Sequence, residues 1–227
     1  MTPERAKPRP WQTDWIMLRG LRRLVSEETK AHLRAGQSLV DMGCGDMPYR
    51  QIIEESGVRY QGADLGDQAD LNIDAAGKVN LPSQTADAVL SVQVLEHVLD
   101  LNAYCDEIRR LLRPGGTLFL STHGTWLYHP HPEDHRRWTR TGLAADLESR
   151  GFKIEQMEAL IGPLATTTVV RLTGIAFFLR RIPVIGPILS GLLSLLMNFR
   201  ALLEDGITPQ QMIEDNACIY WVRARLA

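Results

Sequence analysis

The sequence predicts an α/β fold with a mostly parallel sheet that is covered by helices. Short apolar runs alternate along the chain with amphipathic segments, which is the pattern of parallel strands joined by helical crossovers. A glycine pair follows the first apolar run, as in ligand loops at the carboxyl edge of such sheets. The 227 residues, 44% hydrophobic and 23% charged, suffice for one domain with a full core.

The first half of the chain is predicted to begin with an amphipathic helix. Apolar side chains recur at three- and four-residue intervals over about 11–33. Strands are predicted over about 38–42 and 58–64, with a helix between them that has Pro48 in its first turn. A short third strand at 70–74 follows after only five residues, whereas a parallel crossover normally needs about a dozen. Either that crossover helix is missing or the third strand is vestigial.

The second half continues the alternation. Strands are predicted over 87–92 and 117–121 and from Phe152, and helices over 101–112 and 142–150. A last strand is predicted near 217–222. The chain is therefore expected to divide into an N-terminal helical cap (1–36), a core (37–161), an apolar helical insert (162–206) and a terminal strand that completes the core (207–227).

The net charge and the cysteine content indicate the class of partner and the cellular compartment. A net charge of -2 provides no overall field for nucleic acid, so we expect no nucleic-acid partner. The three cysteines, at 44, 105 and 218, form neither a disulfide framework nor a Cys-x-x-Cys metal motif. Residues 1–10 have no apolar core and do not resemble a signal peptide. These features favour a cytoplasmic location.

The loop from Asp41 to Asp46 is the most informative stretch. Dinucleotide-binding loops cradle a pyrophosphate and need Gly-x-Gly-x-x-Gly. Here the third glycine is absent, position 48 is proline, and two carboxylates would repel phosphate. The loop instead suits a positively charged nucleoside, and S-adenosylmethionine is the common metabolite of that description.

Acidic and polar residues also follow the next strands. Asp64 ends the second strand and could accept hydrogen bonds from two ribose hydroxyls. Asp74 ends the third strand and could accept from an adenine amino group. Gln93 and Val94 follow the fourth strand and could frame the adenosine and methionine moieties. Each aspartate alone could equally be a turn residue or a helix cap.

Four segments, 40–45, 62–64, 87–97 and 112–116, together resemble class I S-adenosylmethionine-dependent methyltransferases of the type-11 kind, over about 37–161. The resemblance implies a Rossmann-like class I methyltransferase sheet with an antiparallel last strand, and S-adenosylmethionine as cofactor. The shortened segment after Asp64 departs from the family pattern. The cofactor-binding residues that the resemblance implies are Asp41, Gly43, Cys44, Gly45, Asp64, Leu65, Asp74, Ala75, Gln93 and Val94, with Cys44 as a small packing residue.

The loop over 121–139 holds four histidines and is where we expect acceptor chemistry. Methyl transfer is an in-line displacement, and a base is needed when the acceptor must lose a proton. His129 is the first candidate base, because it begins a segment that resembles the His-x-x-Pro-x-Asp-x-x-Arg-aromatic-Thr pattern of a type-11 subgroup. The further candidates are His131 and Asp134 for catalysis, and Trp126, His135 and Arg137 for contact with the acceptor. Alternatively, Asp134 and Arg137 only lock the loop.

The sequence also contains candidate metal ligands. Glu96, His97 and His135 resemble the ligands of metal-assisted methyltransferases that act on RNA 3′ ends or quinone precursors. The first carboxylate of that pattern is Gln93 here, and an amide weakens a hard divalent site. We therefore expect no metal.

An apolar insert precedes the last strand. Residues 182–199 are 18 consecutive uncharged residues between Arg180-Arg181 and Arg200, which is at the lower limit for a bilayer span. Prolines and glycines interrupt the run, and the last strand must return to the sheet. We therefore expect a helical hairpin over 165–204 that covers the substrate pocket, forms a homodimer face or rests on the inner face of a membrane.

The leading functional hypothesis is S-adenosylmethionine-dependent O-methylation of a small molecule or saccharide, the latter lipid-linked in view of the apolar insert. Carbon or nitrogen methylation of a small molecule is an alternative. A third is a regulatory subunit that binds the cofactor without catalysis.

Overall fold

The computed structural model of the protein describes residues 4–66, 68–131 and 133–226. Seven strands are present in this part of the chain: β1 (Ser38–Met42), β2 (Arg59–Asp64), β3 (Leu71–Asn72), β4 (Ala86–Val92), β5 (Leu112–His123), β6 (Phe152–Leu160) and β7 (Ile219–Leu226). The α-helices are α1 (Trp15–His32), α2 (Arg50–Glu54), α3 (Leu101–Leu111), α4 (Arg140–Glu148), α5 (Pro163–Leu179), α6 (Ile185–Ile207) and α7 (Gln210–Asp215). Short 3-10 helices lie at Glu4–Ala6 and Leu95–His97.

All seven strands form one sheet in the order β3-β2-β1-β4-β5-β7-β6. β7 runs antiparallel to β5 and β6, and the other neighbouring pairs are parallel. The prediction of a mostly parallel sheet with an antiparallel last strand is confirmed. Because the carboxyl ends of β1, β2 and β4 share one edge of this sheet, the polar residues that follow these strands converge there.

Strand residues alternate between two apolar layers, as the pleat requires. Leu39 and Leu90 face the layer that α1, α2 and the start of α5 complete. Val40 and Val89 face the layer that α3 and α4 complete. The central strands are buried on both faces, which is why they read as continuous apolar runs in the sequence.

The connection between β2 and β3 explains why the sequence between these two predicted strands is too short for a crossover helix. β3 has only two residues, and the described residues between the two strands contain no helix. The Asp70 carboxylate accepts a hydrogen bond from the Gly62 backbone N–H at 2.9 Å and pairs with Arg50. Side-chain contacts thus hold the vestigial strand against β2 where a crossover helix would otherwise pack.

The predicted boundaries shift where a cap or a tertiary contact decides them. The first helix begins at Trp15 rather than near residue 11. The carbonyls of Pro10 and Gln12 instead accept hydrogen bonds from Asn198 of α6, at 2.9 and 2.8 Å. α4 begins at Arg140, because the Thr139 hydroxyl caps it by accepting from the Gly142 N–H.

The apolar insert is a pair of long helices, α5 and α6, joined by a short turn. α6 is long and apolar enough to cross a bilayer by length and composition alone, with 28% of its most apolar stretch buried. The predicted division of the chain into cap, core, insert and terminal strand remains a prediction.

Gly124 docks the loop after β5 onto the start of β7. Its N–H donates to the Cys218 carbonyl at 2.9 Å, and a Cβ added there would lie 2.3 Å from the Ala217 carbonyl oxygen. We expect Gly124→Ala to lower the free energy of unfolding in urea by about 1–3 kcal/mol, because the backbone must shift.

The matched control is Gly174→Ala in α5, where an added Cβ meets nothing within 4 Å. Alanine has the higher helix propensity, so this variant should be as stable as the wild type or more stable by up to about 1 kcal/mol. Equal stability of the two variants would contradict the proposed docking contact.

Candidate active site

The glycine loop after β1 is held in a conformation that suits close ligand approach. Gly43 has φ +75° and Gly45 has φ +53°, the left-handed region that glycine adopts at low cost. A Cβ at position 43 would lie 2.6 Å from a methyl carbon of Val94. Glycine therefore lets the Val94 side chain close directly over the loop.

An outer cavity of about 860 Å³ opens beside this loop, a size that accommodates a nucleoside-sized ligand. It lies at the carboxyl edge of the sheet. Of the residues predicted to bind cofactor, those that line it are Gly43, Gly45, Asp64, Leu65, Asp74, Ala75, Gln93 and Val94.

The Asp64 carboxylate is oriented by two backbone donors. Its Oδ2 accepts from the Gly45 N–H at 2.7 Å, and its Oδ1 accepts from the Leu65 N–H at 2.7 Å. A carboxylate oxygen has room for a second donor, so Asp64 can still accept from two ligand hydroxyls. The Asp74 carboxylate stabilises its own turn, since its Oδ1 already accepts hydrogen bonds from the Ala76 and Lys78 N–H groups.

Gln93 is strained and incompletely hydrogen-bonded. Its φ is +56°, which is unfavourable for a non-glycine residue and is typical of ligand sites. The side-chain Nε2 donates to the Ser121 hydroxyl at 3.0 Å. Among the described residues, the buried Oε1 has no hydrogen-bond partner. A buried acceptor of this kind suits a ligand ammonium group.

An inner cavity of about 250 Å³ lies behind the loop. Its lining includes Asp41, Cys44, Tyr49 and Trp126, together with Thr173 of α5. The four residues that line both the inner and the outer cavity are Arg5, Gly43, Gln93 and His129. The two cavities therefore meet at these side chains.

Asp41 and Cys44 face this inner cavity as buried groups. Asp41 is 2% exposed and accepts a hydrogen bond from the Tyr60 hydroxyl at 2.5 Å. Burial raises its pKa to about 7, against the effect of that hydrogen bond. Burial, with nearby carboxylates, also raises the pKa of Cys44 to about 12, so this thiol is not a nucleophile at neutral pH.

His129 stands where the two cavities meet, and Asp134 positions it. The Asp134 Oδ2 accepts from the His129 backbone N–H at 2.9 Å and lies 3.3 Å from Nδ1. The Leu127 carbonyl also lies 3.3 Å from Nδ1. The Arg137 guanidinium, which can only donate, lies 3.4 Å from the same nitrogen. A proton on Nδ1 would leave Nε2 with a lone pair. Burial lowers the pKa of His129, and the Asp134 charge opposes this.

Asp134 itself is an anchor of the loop. Its side chain is 1% exposed and pairs with Arg137 through contacts of 2.5 and 2.6 Å. These hydrogen bonds from Arg137 hold the pKa of Asp134 well below its usual range. The Arg137 guanidinium also donates to the carbonyls of Trp126 and Leu127. These contacts lock the loop, as the structural alternative for Asp134 and Arg137 expects, and Asp134 contacts His129 as well.

Three other predicted residues differ in their placement. His135 and Arg137 line neither of these two cavities, and their contact with the acceptor remains a prediction. The His135 backbone N–H donates to the Glu96 carbonyl, and its ring faces Glu133. His131 lines the outer cavity rather than the inner one. Pro132 of the quoted motif lies outside the described residues.

A buried acid and a buried histidine lie behind His129. Glu96 accepts from the Thr122 hydroxyl at 2.8 Å, and its other oxygen lies 3.6 Å from the His123 Nε2. Burial raises the pKa of Glu96 to about 7. The pKa of His123 falls to about 3, through burial first and then the nearby His129 and Arg137 charges.

These side chains also form a candidate metal cluster. One ligand atom each from Glu96, His123 and His129 lies within 4.8 Å of the others. The set differs from the one that the sequence resemblance indicated, because the His97 Nδ1 instead contacts the Glu133 carbonyl at 2.5 Å and His135 faces Glu133. The expectation of no metal remains a prediction.

Several lining residues gave no usable signal in the sequence. Arg5, Thr13 and Asp14 come from the N-terminal segment, and Thr173 from the apolar insert. Neither segment carries a motif. His123 was visible as one of four histidines, but its burial at 4% exposure depends on β7 and could not be read from spacing.

The sheet order and an acidic, glycine-lined cleft define a Rossmann-like domain that binds a cationic nucleoside. The family model described as "Methyltransferase domain" matches residues 15–157, more than half of the chain. The chain therefore belongs to this family, the class I S-adenosylmethionine-dependent methyltransferases, and its cofactor is S-adenosylmethionine. The free lone pairs of Asp64 and the unpartnered Gln93 oxygen are acceptors that fit this cofactor.

Curated relatives match part of the chain. A protein of Mycolicibacterium smegmatis named "Probable S-adenosylmethionine-dependent methyltransferase" is 28% identical over 142 residues, 55% of either chain. The "Ubiquinone biosynthesis O-methyltransferase" of Nitrosospira multiformis is 32% identical over 104 residues, 39% of this chain and 44% of its own. The chain thus spans about half the length of these relatives.

Solved structures share the fold. The [4+2]-cyclase SpnF aligns with a TM-score of 0.60 at 19% identity, over 92% of this chain and 80% of its own. A Haemonchus contortus phosphoethanolamine N-methyltransferase 2, solved with S-adenosylhomocysteine, aligns with a TM-score of 0.57 at 16% identity, over 90% of this chain and 52% of its own. At these identities the likeness concerns the fold alone.

Asp64 should contribute strongly to cofactor affinity. We expect Asp64→Asn to weaken binding of S-adenosylmethionine and of S-adenosylhomocysteine alike by about 10–100-fold in calorimetry, because charge-assisted hydrogen bonds are lost. Asp106→Asn is the charge-matched control, since the Asp106 side chain is 70% exposed on α3. An unchanged dissociation constant for Asp64→Asn would contradict the assignment.

Proposed function

We propose that this protein transfers a methyl group from S-adenosylmethionine to an oxygen atom of a small-molecule acceptor held in the inner cavity, with His129 as the base. The observation that carries the proposal is the position of His129, which lines both cavities and has its Nδ1 beside the Asp134 carboxylate. Family membership supports the use of the cofactor, and the geometry supports the role of the base.

The donor side is assigned to the outer cavity. When bound, S-adenosylmethionine supplies a methyl group on a sulfonium sulfur. Asp64 would hold the ribose, and the Gln93 Oε1 would accept from the ammonium group. The Val94 side chain, packed over Gly43, would keep water from the loop. Alignment of donor and acceptor supplies much of the rate in a displacement of this kind.

The acceptor side is assigned to the inner cavity. Trp126 offers a flat apolar wall. Thr13 and Asp14, from the N-terminal segment, also line this cavity. His129 would take the proton from the acceptor hydroxyl at Nε2, while Asp134 holds the ring through Nδ1. A volume of about 250 Å³ suits a small molecule or one sugar unit of a lipid-linked saccharide, with any larger part outside.

Oxygen is the favoured acceptor atom for two reasons. A neutral imidazole beside the acceptor position is useful when a proton must leave as the bond forms. Relatives that match part of the chain carry the name O-methyltransferase. Carbon or nitrogen methylation is the alternative, and a subunit that binds cofactor without turnover is another.

The most direct test of the proposal is a search for the acceptor. The intact protein is incubated with S-adenosylmethionine carrying a labelled methyl group and with a cytoplasmic metabolite extract. We expect one or more metabolites to take up a single labelled methyl group, with release of an equal amount of S-adenosylhomocysteine. Tight cofactor binding without any labelled product would support the non-catalytic alternative.

His129 should affect turnover far more than cofactor binding. We expect His129→Gln to lower kcat by about 10²–10⁴-fold, because general-base catalysis is lost. The dissociation constant for S-adenosylmethionine should stay within about threefold of the wild type, a change of less than about 1 kcal/mol. Equal losses of turnover and of cofactor affinity would contradict the role of the base.

The pH profile provides a second readout for the same residue. Since the pKa of His129 is lowered from 6.5, the imidazole is neutral and active as a base at pH 7. The rate should therefore be level around neutral pH and fall only below pH 6.5, with the decline absent in His129→Gln. A wild-type rate that still rises steeply above pH 7 would contradict it.

A further inference from the structure

The helical hairpin formed by α5 and α6 exposes an unusual amount of apolar surface. We call its outward surface the hairpin face. Its large side chains are 55–71% exposed in the molecule and include Phe178, Ile188, Leu192, Leu196, Phe199 and Leu203. The five in α6 recur every three to four residues, so they form one stripe about 22 Å long. Monomeric soluble proteins rarely expose a continuous apolar surface of this extent.

The side chains of α6 are arranged in the opposite way to those of a surface helix in a water-soluble protein, which buries its large apolar residues. Its buried residues are small or polar, namely Gly186, Ser190, Ser194, Asn198 and Ala201. These side chains let α5 and α6 approach closely, and they leave the large apolar groups outside. Small residues inside and large apolar residues outside are typical of helix pairs that have lipid as their surroundings.

The charges beside the hairpin face are positive up to Leu203, and the two acidic residues of α6, Glu204 and Asp205, follow at its end. Residues 163–203 contain four arginines and neither aspartate nor glutamate. Arg181, at the turn, lies over the Phe177 ring at 4.1 Å. The next acidic residue along the chain, Glu204, is turned toward Thr168 and Arg200. The face therefore offers cations beside apolar surface, which complements anionic lipid headgroups above acyl chains.

A second copy of the chain fits this surface less well. An isologous contact would place the same patch on both sides. Arginines would then face arginines or apolar side chains, since residues 163–203 supply no carboxylate. A bilayer with anionic lipids supplies both the apolar layer and the counter-charge.

A full span of the bilayer by α6 is not compatible with its inward contacts. Asn198 holds the carbonyls of Pro10 and Gln12. Glu204 accepts from Thr168 of α5 at 2.5 Å. The chain then returns through β7 to its place between β5 and β6 in the sheet. α6 therefore stays on the domain and meets the bilayer from one side.

We propose that the hairpin face docks this protein on the surface of an anionic lipid bilayer, with α6 lying along the interface and Arg180 and Arg181 at the headgroups. The docking is independent of the methyl-transfer proposal, since it needs no reaction. It has a consequence for the inner cavity, because Thr173 of α5 lines that cavity and Asn198 holds the segment that leads into Thr13. Docking would place the inner cavity beside the lipid surface.

The proposal is tested by flotation of the full-length protein with vesicles. One set consists of phosphatidylcholine alone, and the other includes about one third phosphatidylglycerol. We expect the wild type to float with the anionic vesicles and to be released by high salt. Arg180→Gln with Arg181→Gln should weaken this binding by about 10–30-fold, the equivalent of about 1 kcal/mol per arginine.

Replacing apolar side chains of the hairpin face tests whether vesicle binding depends on this face rather than on nonspecific adsorption. Leu196→Gln with Phe199→Gln changes two side chains that are 71% and 64% exposed, so the fold should be kept, and a thermal unfolding scan checks this. We expect at least about a tenfold loss of flotation. Met212→Gln on α7 is the control, because Met212 is 46% exposed and lies outside the hairpin face. It should float like the wild type.

Three results would overturn the proposal. One is a wild type that stays in solution with both vesicle sets. Another is equal binding to neutral and anionic vesicles, which would remove the role of the arginines. The third is a concentration-dependent dimer in light scattering that Leu196→Gln with Phe199→Gln abolishes, in the absence of flotation, which would assign the face to a second copy.

Discussion

The buried carboxylate of Asp134 holds together the part of the structure on which function depends. Its two oxygens receive the Arg137 guanidinium and the His129 backbone N–H, so one side chain gives an irregular loop a defined shape. Removing one partner of such a buried pair is costly, because the other charge stays unpaired. The same carboxylate lies 3.3 Å from the Nδ1 of His129 and so helps to fix the orientation of the ring. Loop order and base orientation thus have one cause.

The sheet supplies the other half of the site through constraints that are visible in the sequence. Buried parallel strands read as apolar runs, and the residues after them must lie at one edge. That is why Gly43, Asp64 and Gln93 could be placed from spacing alone. The positive φ of Gly43 and the packing of Val94 over it could not be predicted from the sequence, since they depend on contact between separate strands.

Other parts of the site depend on contacts that no local pattern encodes. The sequence leaves two roles open for Arg137, acceptor contact or a pair with Asp134, and in the structure its guanidinium is bound by Asp134 and by backbone carbonyls. His123 becomes a deeply buried neutral imidazole because β7, about a hundred residues later, packs beside it. Arg5 reaches both cavities from a segment without periodicity. In each case tertiary packing, rather than propensity, decides the role.

In the apolar insert, too, one part of the structure could be predicted from the sequence and another could not. Composition predicted a hairpin, and its helices follow the expected ranges closely, but only the structure shows that α6 has its small polar side turned inward. Through Asn198 and Thr173 the hairpin touches the segments that enclose the inner cavity. The outward surface and the proposed acceptor site are therefore parts of one continuous region of the molecule.

The central claim is that the donor's reactive group faces the inner cavity at His129. The measurement that tests it most directly is a crystal structure of the protein with S-adenosylhomocysteine. The account predicts the ribose hydroxyls on Asp64 and the sulfur between Gly43, Gln93 and His129, directed toward the inner cavity. A sulfur that points to bulk solvent, or is separated from His129 by the glycine loop, would contradict it.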